Sequence, residues 1–542
     1  MTLQTEPAEI RRLRKQNMIL AAVSAAVFFF LTNGYRFFNP LLNGDSIMML
    51  YQNDAAWQVA LGRFVQVPLI LLRGGFTAPF LISILAMLWI SLAAAFTADV
   101  LGLRQRRSLV LTGAVLACCP SVITLGSGYL PWLDFFSLAL FLAVFSVWLI
   151  TEGGRIKTAG GILCLMLSIG IYQAYLGAMI ALVMIRMLLR TFTSDPHEWN
   201  RDALRYILSA ACAAVLWYVC WRGLQAAFGV WTADTYNGLA SVGDFSEVSV
   251  PQAAGLAYGS FFDYFLHPAR MVTYTFRGTD MSMLWEILLK VCHVLLALAL
   301  AYALYRLFRR EGAKAGEGRT LFSVYRVLIL VLFPFGANIV CFFSKGMEHT
   351  LMQHALQFAY VLVIALCEAA DEPEGTPSAT AEAQRAPGTR LAGVLPVLLL
   401  LPLLWNGFVF SNQTYLKKDV QERAIQSLMT RIVTSVESME GYIPGETAVG
   451  IAGSFEMNPY FGGPAHMEDI EPWGTGKTAF TYFGPDEIWL SFFESAQIPF
   501  VRPDESREEI RSMPLYPAKG SVAWVDGMIV VKISGERNAV EQ

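Results

Sequence analysis

Runs of apolar residues alternate along the chain with short polar segments. A bilayer core is crossed by a helix of about 20 apolar residues, so the pattern predicts about eleven transmembrane helices. The apolar run from 158 to 190 is too long for one crossing, and we divide it at Tyr172–Gln173, where we expect a tight turn. The predicted spans are 18–36, 78–101, 108–126, 132–151, 158–173, 174–190, 204–223, 284–306, 322–343, 350–368 and 391–410.

Positive charge predicts the orientation of these spans, because loops rich in Lys and Arg stay cytoplasmic. A basic cluster precedes the first span, which predicts a cytoplasmic N-terminus in a plasma or inner membrane. Counting from there, the inner loops hold the basic residues and the short outer loops hold almost none. The basic residues are Arg11, Arg12, Arg14, Lys15, Arg104, Arg106, Arg107, Arg155, Lys157, Arg186, Arg190, Arg201, Arg205, Arg306, Arg309 and Arg310.

Four segments lie outside the predicted spans. They are outer loops at about 37–77 and 224–283, an inner linker at 371–390 whose composition is typical of disorder, and a tail at 411–542. An odd number of spans places the tail outside the cell. A helical stretch near 417–440 and β-like runs at TAVGIAG and GMIVVKI predict a small α/β domain there. We therefore expect an all-α transmembrane domain over 1–410 and a soluble extracytoplasmic domain over 411–542.

Composition agrees with this architecture. Charged residues make up 15% of the chain and the mean hydropathy is +0.47, whereas a soluble domain carries about 25% charged residues. The net charge of −3 gives no basic excess for binding nucleic acid. The eight cysteines lie in or beside apolar runs without metal-ligand spacing, so neither a disulfide framework nor a zinc site is predicted.

The first outer loop is the segment in which we most expect catalytic residues. Its stretch from Ser46 to about Leu72 is too polar for a span and too apolar for a free loop, which predicts an amphipathic helix in the membrane interface. Asp45 and Asp54 are nine residues apart, so on one helix they would face opposite sides. One of them is then the working carboxylate. We favour Asp45, which follows a turn at Asn43–Gly44; alternatively, both are solvated.

Three further charged residues stand at the predicted outer membrane surface. Arg63 and Arg73 could extend to lipid headgroups or bind a phosphate in bidentate fashion. Asp134 enters the fourth span. A carboxylate in an apolar helix is costly and often functional, but an acidic residue in a first turn is also favoured by the helix dipole.

Two more groups of polar residues have several interpretations. His349 precedes the tenth span beside Glu348, and His354 lies one turn further in. A polar contact between helices explains these residues, and a place beside a phosphate is the alternative. The acidic and basic residues of the second outer loop, including Asp263, form no recognisable motif, and we expect them to be solvated.

Five segments, in their order along the chain, resemble the type II O-antigen glucosyltransferase-like (Gtr) membrane family. That family is similar to the GT-C class of glycosyltransferases. The resemblance covers most of the chain up to about residue 455. The segments are Gly44–Gly75 (GDSIMMLYQNDAAWQVALGRFVQVPLILLRGG), Tyr129–Leu149 (YLPWLDFFSLALFLAVFSVWL), Ser168–Ile180 (SIGIYQAYLGAMI), Phe333–Ala355 (FPFGANIVCFFSKGMEHTLMQHA) and Ser411–Gly453, which begins SNQTYLKK.

The resemblance implies transfer of a hexose, named by the family as glucose, from a polyprenyl-phosphate sugar to a surface glycan or glycolipid. It implies that an acidic residue of the first outer loop is the general base, by position Asp45 with Asp54 as the substitute. Arg63 and Arg73 would neutralise the leaving lipid phosphate, and Asp134 would orient the acceptor or a metal. The chain shows no duplicated Asp-x-Asp motif, so a divalent metal stays an open alternative and no other cofactor is expected.

Three other functions compete with this one. A flippase or transporter of lipid-linked sugars predicts charges deep in several spans and internal pseudo-symmetry. The charges instead gather at the outer rim and no repeat is visible, which favours the enzyme. A polysaccharide polymerase or ligase would use a large outer loop, for which 224–283 is available. A non-catalytic scaffold that presents the tail predicts that Asp45 is dispensable.

Overall fold

A computed structural model describes residues 8–39, 41, 55–232, 248–271, 275–276, 279–311, 319–371, 387–453 and 498–535. Short 3-10 turns at Leu130–Trp132, Gln173–Tyr175 and Thr350–Gln357 precede three of the helices. The strands are β1 (Thr275–Phe276), β2 (Thr279–Asp280), β3 (Val449–Ala452), β4 (Val522–Val525) and β5 (Met528–Lys532). The α-helices are α1 (Ala8–Phe38), α2 (Ala55–Ala60), α3 (Gln66–Leu72), α4 (Pro79–Leu101), α5 (Arg106–Ala117), α6 (Pro120–Gly128), α7 (Leu133–Glu152), α8 (Arg155–Ile171), α9 (Leu176–Arg190), α10 (Pro196–Phe228), α11 (Val250–Leu266), α12 (Met281–Glu311), α13 (Arg319–Ala337), α14 (Ile339–Phe343), α15 (Phe358–Asp371), α16 (Pro387–Glu437) and α17 (Glu508–Ser512).

All eleven predicted spans lie on helices. Among the described residues, ten helical segments are long and apolar enough to cross a membrane. The other predicted span corresponds to α8, whose 17 residues match the lower limit of about 17 for a spanning helix. The predicted turn at Tyr172–Gln173 is confirmed, because α8 ends at Ile171 and a 3-10 turn leads into α9. The polytopic all-α fold is therefore confirmed.

Small residues let the first helices approach closely. A Cβ atom added at Gly113 on α5 would lie 2.5 Å from the backbone oxygen of Ala21 and 2.7 Å from the backbone nitrogen of Ala25, both on α1. Close backbone approach at glycine is typical of helix pairs in membranes, where packing rather than the hydrophobic effect holds helices together.

Ion pairs join the helix ends that carry the predicted cytoplasmic charges. The Arg14 guanidinium lies 2.5 Å from Asp99 and 2.6 Å from Glu152. The Glu368 carboxylate accepts a hydrogen bond of 2.6 Å from the backbone N–H of Arg104. These contacts bring together the start of α1 and the ends of α4, α7 and α15. For these four helices the relative directions agree with the predicted alternation, and charged groups gather at this end of the bundle.

The first outer loop differs from the single amphipathic helix that we expected. Its described part forms two short helices, α2 and α3, separated at Gly62, where φ is +72°. A side chain at Gly62 would meet the ring of Trp217, 2.9 Å from the added Cβ. The Trp217 indole donates a hydrogen bond of 3.0 Å to the Gly62 carbonyl, and the Gln173 amide donates one of 2.9 Å to Leu61. These tertiary contacts favour the break over a continuous helix.

The described part of the second outer loop contains a helix that we did not predict. Helix α10 extends to Phe228, and α11 occupies Val250–Leu266. A capping box between Ser249 and Gln252 starts α11, with a proline in its first turn, and this combination is a known helix start signal. We missed it because the loop has no apolar run long enough for a span. Helix α11 packs against α13 and α14.

The predicted strands of the tail are confirmed, and the structure adds a third strand. Strand β3 pairs in parallel with β5, and β4 pairs antiparallel with β5. The β4–β5 hairpin turns at Asp526 and Gly527, both with positive φ, as a two-residue type I′ turn requires. Leu428 and Ile432, near the end of α16, pack against this sheet.

Helix α16 runs without interruption from Pro387 to Glu437. It therefore includes the eleventh predicted span and most of the helical stretch that we expected near 417–440. The division of the chain into domains at 410 and 411 stays a prediction, because one continuous helix passes through that position.

Candidate functional site

The end of the bundle opposite the charged ion pairs holds a buried pair of opposite charges. Arg73, directly after α3, lies with its Nη1 atom 2.6 Å from Oδ1 of Asp134, in the first turn of α7. The same nitrogen donates a hydrogen bond of 2.8 Å to the Pro131 carbonyl. The guanidinium stacks over Phe135, 4.3 Å from the ring centre. The structure thus brings together two of the predicted site residues, and each neutralises the other.

A second buried arginine, Arg36, lies at the same end of the bundle. Its side chain is fully buried near the end of α1 and donates one hydrogen bond to the Gly126 carbonyl. Its Nε and Nη2 atoms, like those of Arg73, have no hydrogen-bond partner in the described part of the chain. Tyr415 on α16 also contacts Gly126 and donates a hydrogen bond of 2.5 Å to Asn33. Sequence reasoning missed Arg36, although an ionisable residue inside an apolar span is itself a signal of function.

Arg63 lies on an aromatic surface next to these groups. Its guanidinium stacks over Tyr172, 4.8 Å from the ring centre. Tyr172 in turn stacks on Phe136, two residues after Asp134, with 4.0 Å between ring centres. An aromatic face can hold a guanidinium and leave its edge N–H groups directed elsewhere. The cation is therefore fixed close to the start of α7.

His349 links the start of α7 to the segment before α15. Its Nδ1 atom accepts the N–H of Leu351, so in the neutral ring Nε2 carries the proton and donates to the Tyr129 hydroxyl, 3.2 Å away. Burial lowers the pKa of His349 to about 4, which leaves the ring neutral at physiological pH. A role for His349 as a phosphate ligand stays a prediction.

A cavity of about 760 Å³ opens between α11 and the segment 341–353. Glu348 lines it, and its Oε2 atom accepts hydrogen bonds from Ser260 and, at 3.4 Å, from Asn338. The Oε1 atom is buried and makes no hydrogen bond within ordinary distance. Burial raises the pKa of Glu348, and the charge of Asp263 raises it further. The polar side chains lining the cavity include Ser260, Asp263, His267, Glu348, Thr350 and Gln353.

An apolar crevice adjoins this cavity, and Tyr264 belongs to the walls of both. Helix α16 contributes Leu400, Leu403, Leu404 and Phe410 to the crevice wall. His293 and Tyr360 add a polar contact to its lining, with 2.8 Å between Nε2 and the hydroxyl. The polar cavity and the largely apolar crevice therefore share part of their walls.

The two carboxylates favoured as general base, Asp45 and Asp54, lie outside the described residues. Sequence reasoning did not single out Ser260 and expected Asp263 to be solvated, because helix α11, which carries both residues, had not been predicted. In the described ranges, no group of three or more His, Cys, Asp or Glu side chains could hold a metal ion.

Comparison with known proteins identifies the family. The family model described as glucosyl transferase GtrII matches residues 34–366. That range begins at the end of α1 and includes Arg36, Arg63, Arg73, Asp134 and Glu348. No curated protein and no solved structure matches the chain. With its membrane-spanning helices, the chain belongs to the GtrII glucosyl transferase family and is a membrane glycosyltransferase.

Proposed function

We propose that the protein transfers glucose from a polyprenyl-phosphate donor to a cell-surface glycan or glycolipid at the outer face of the membrane. The observation that carries the proposal is the gathering of Arg36, Arg63, Arg73 and Asp134 at one end of the bundle, in a chain of the GtrII glucosyl transferase family. Charged groups at that depth suit a donor whose phosphate lies at the membrane surface and whose prenyl chain stays between helices.

Asp45 acts as the general base in this proposal, with Asp54 as the alternative. The base accepts the proton of an acceptor hydroxyl as that oxygen attacks the anomeric carbon of the donor. The bond from the anomeric carbon to the phosphate oxygen breaks, and polyprenyl phosphate leaves with the bonding electrons. Both residues follow α1 closely in sequence, and α1 ends at the same end of the bundle as the buried arginines.

Arg36 and Arg73 neutralise the leaving phosphate. Between them and Asp134, the buried groups carry two positive charges and one negative charge, which leaves an excess of one positive charge. Each guanidinium also has nitrogen atoms without an acceptor among the described residues. Preorganised donors in a water-excluded site stabilise a developing anion strongly. Arg63, stacked on Tyr172, would add a third cation.

We infer that the site faces the outside of the cell. The opposite end of the bundle carries Arg14, Arg104 and Lys157, whose positive charge favours the cytoplasm. The N-terminus would then be cytoplasmic and the tail extracytoplasmic, in the inner or plasma membrane. This orientation gives the enzyme access to an acceptor that is already exported.

The test is transfer from polyprenyl-phosphate glucose by the purified protein, measured as release of polyprenyl phosphate. Wild-type protein should release it in the presence of an acceptor, and Asp45→Asn should not, since the amide keeps the shape of the side chain and cannot accept the proton. Asp504→Asn is a matched control, because Asp504 is an exposed carboxylate of the tail that lines neither cavity.

Each outcome of this assay decides a separate point. Release by both wild type and Asp45→Asn would keep the reaction and move the base to Asp54. Release by neither, with several hexoses and acceptors supplied, would reject the transferase and favour transport of a lipid-linked sugar.

A further inference from the structure

The cavity between α11 and the segment 341–353 has the chemistry of a carbohydrate site. Its volume of about 760 Å³ lies within the range of roughly 300–1,000 Å³ that small-molecule sites occupy. Carboxyl, amide and hydroxyl groups line it, as Glu348, Gln353, Thr350 and Ser260. These groups pair with the alternating donors and acceptors of sugar hydroxyls.

The carboxyl groups in this lining disfavour the binding of an anion. Glu348 and Asp263 are carboxyl groups, and the ionisable group facing them from α11 is His267, whose Nδ1 atom lies 2.6 Å from Asp263. A phosphate placed here would face two carboxyl groups. The arginines that suit a phosphate, Arg36 and Arg73, are not among the residues that line this cavity.

Glu348 retains unused capacity for hydrogen bonding. Its Oε2 atom is held by Ser260 and Asn338, which fixes the orientation of the side chain. Its Oε1 atom is buried without a hydrogen bond of ordinary length. A buried oxygen that lacks a hydrogen bond is unfavourable, and a ligand hydroxyl would supply the missing donor.

Two glycines leave open volume on the face of α11 that lines the cavity. Gly255 and Gly259 lie one helical turn apart and both line the cavity. A Cβ atom added at either position would meet no atom within 4 Å. Glycine is less favourable than alanine inside a helix, so the two glycines on the cavity face of α11 leave open volume and lower the stability of the helix.

We propose that this cavity binds a neutral saccharide unit of one of the two substrates, with Glu348 as a hydrogen-bond partner of its hydroxyls. The proposal deepens the proposed transferase function and rests on it for the identity of the substrates. The saccharide belongs either to the acceptor glycan or to the hexose of the donor, and these share the same chemistry.

Direct binding tests the cavity without requiring turnover. Saturation-transfer NMR would use purified protein in a sugar-free amphipol, with methyl α-glucopyranoside as the probe. Wild type should show transfer to the probe, and glucose 6-phosphate should compete poorly because of its charge. Gly259→Leu fills the open volume with a residue of higher helix propensity and should abolish the signal. Gly223→Leu is the matched control, because Gly223 on α10 also has open space around it and does not line the cavity.

Steady-state kinetics then identify the source of the saccharide. Glu348→Gln should raise the KM of one substrate about tenfold, as expected for one hydrogen bond to a charged group, and leave kcat nearly unchanged. A higher KM for the acceptor assigns the cavity to the acceptor, and a higher KM for the donor assigns it to the donor hexose.

Two results would overturn the proposal. One is no NMR signal from wild type, or an equal signal from Gly259→Leu and Gly223→Leu. The other is unchanged KM values for both substrates in Glu348→Gln and in Gly259→Leu. If wild type binds the probe but releases no polyprenyl phosphate, the transferase proposal fails while the saccharide site stands.

Discussion

The guanidinium of Arg73 and the carboxylate of Asp134 lie 2.6 Å apart, and their side chains are only 3% and 2% exposed. The two residues are 61 positions apart in the chain, and their contact ties the first outer loop to the start of α7. A buried pair of this kind is sensitive to loss of one partner, because the remaining charge has neither water nor a counter-charge.

Asp134→Asn should therefore destabilise the protein by about 3–5 kcal/mol, the cost of leaving one partner of a buried ion pair unpaired. The measurement is thermal unfolding of the purified protein in detergent. The double variant Arg73→Met with Asp134→Leu should recover most of this loss, because it removes both charges. An unchanged melting temperature in Asp134→Asn together with loss of transfer would instead give Asp134 a direct role in the reaction.

Gly113→Ala should weaken the packing of α1 on α5. The added methyl group would lie 2.5 Å from the Ala21 carbonyl oxygen, and the backbone can relieve this contact only by moving the helices apart. We expect a loss of about 1–3 kcal/mol, as for other overpacked positions, measured by thermal unfolding. Gly160→Ala on α8 is the control, because its nearest contact is Leu149 at an ordinary 3.6 Å. Equal melting temperatures for the two variants would contradict the close approach.

A cysteine replacing Ser438 should react with an impermeant thiol reagent added to intact cells. Ser438 is exposed just after α16, in the tail that we place outside the cell. The background replaces all eight native cysteines, which are free thiols. A cysteine replacing Glu9, exposed near the predicted cytoplasmic N-terminus, should react only after lysis. The opposite pattern would invert the protein in the membrane and move the proposed site to the cytoplasm.

The raised pKa of Glu348 makes stability depend on pH. Burial raises this pKa above the ordinary value of 4.5, so the folded state binds the proton more tightly than the unfolded state. The free energy of unfolding contributed by this group therefore falls as pH rises from 4.5 through the raised pKa. Wild type should lose stability relative to Glu348→Gln as the pH rises from about 4.5 through the raised pKa of Glu348.

The measurement is the difference between the melting temperatures of the two proteins at each pH. Asp263, His267 and the other titratable groups are present in both proteins and largely cancel in the difference. A difference that does not change with pH would show that Glu348 titrates at its ordinary value.

Fold class and span positions could be predicted from the sequence, because a bilayer imposes one length and one polarity on every spanning helix. The division at Tyr172–Gln173 followed from the same rule, applied to an apolar run too long for a single crossing. Strands β3 and β5 were visible as short β-like runs between turn residues.

The first outer loop could not be predicted in detail. Its first helix, α2, ends before the turn at Gly62 because Trp217 and Gln173, more than 100 residues away in the chain, bind that turn through their side chains. No local pattern contains that information. Helix α11 is a similar case. The sequence contains its start signals, but the helix packs against α13 and α14, and no local pattern shows that contact.

What the sequence by itself determined was the membrane architecture, the segregation of positive charge to one end, and a family resemblance that the match to GtrII bears out. The hydropathy and charge of each segment can be evaluated from that segment alone, so the spans and their orientation can be predicted from the sequence. Only the tertiary structure decided that Arg73 pairs with Asp134, that Arg36 is buried beside Tyr415, and that Glu348 lines a cavity closed by α11. These relationships join helices far apart in sequence, and they depend on how side chains from separate spans fill the same space.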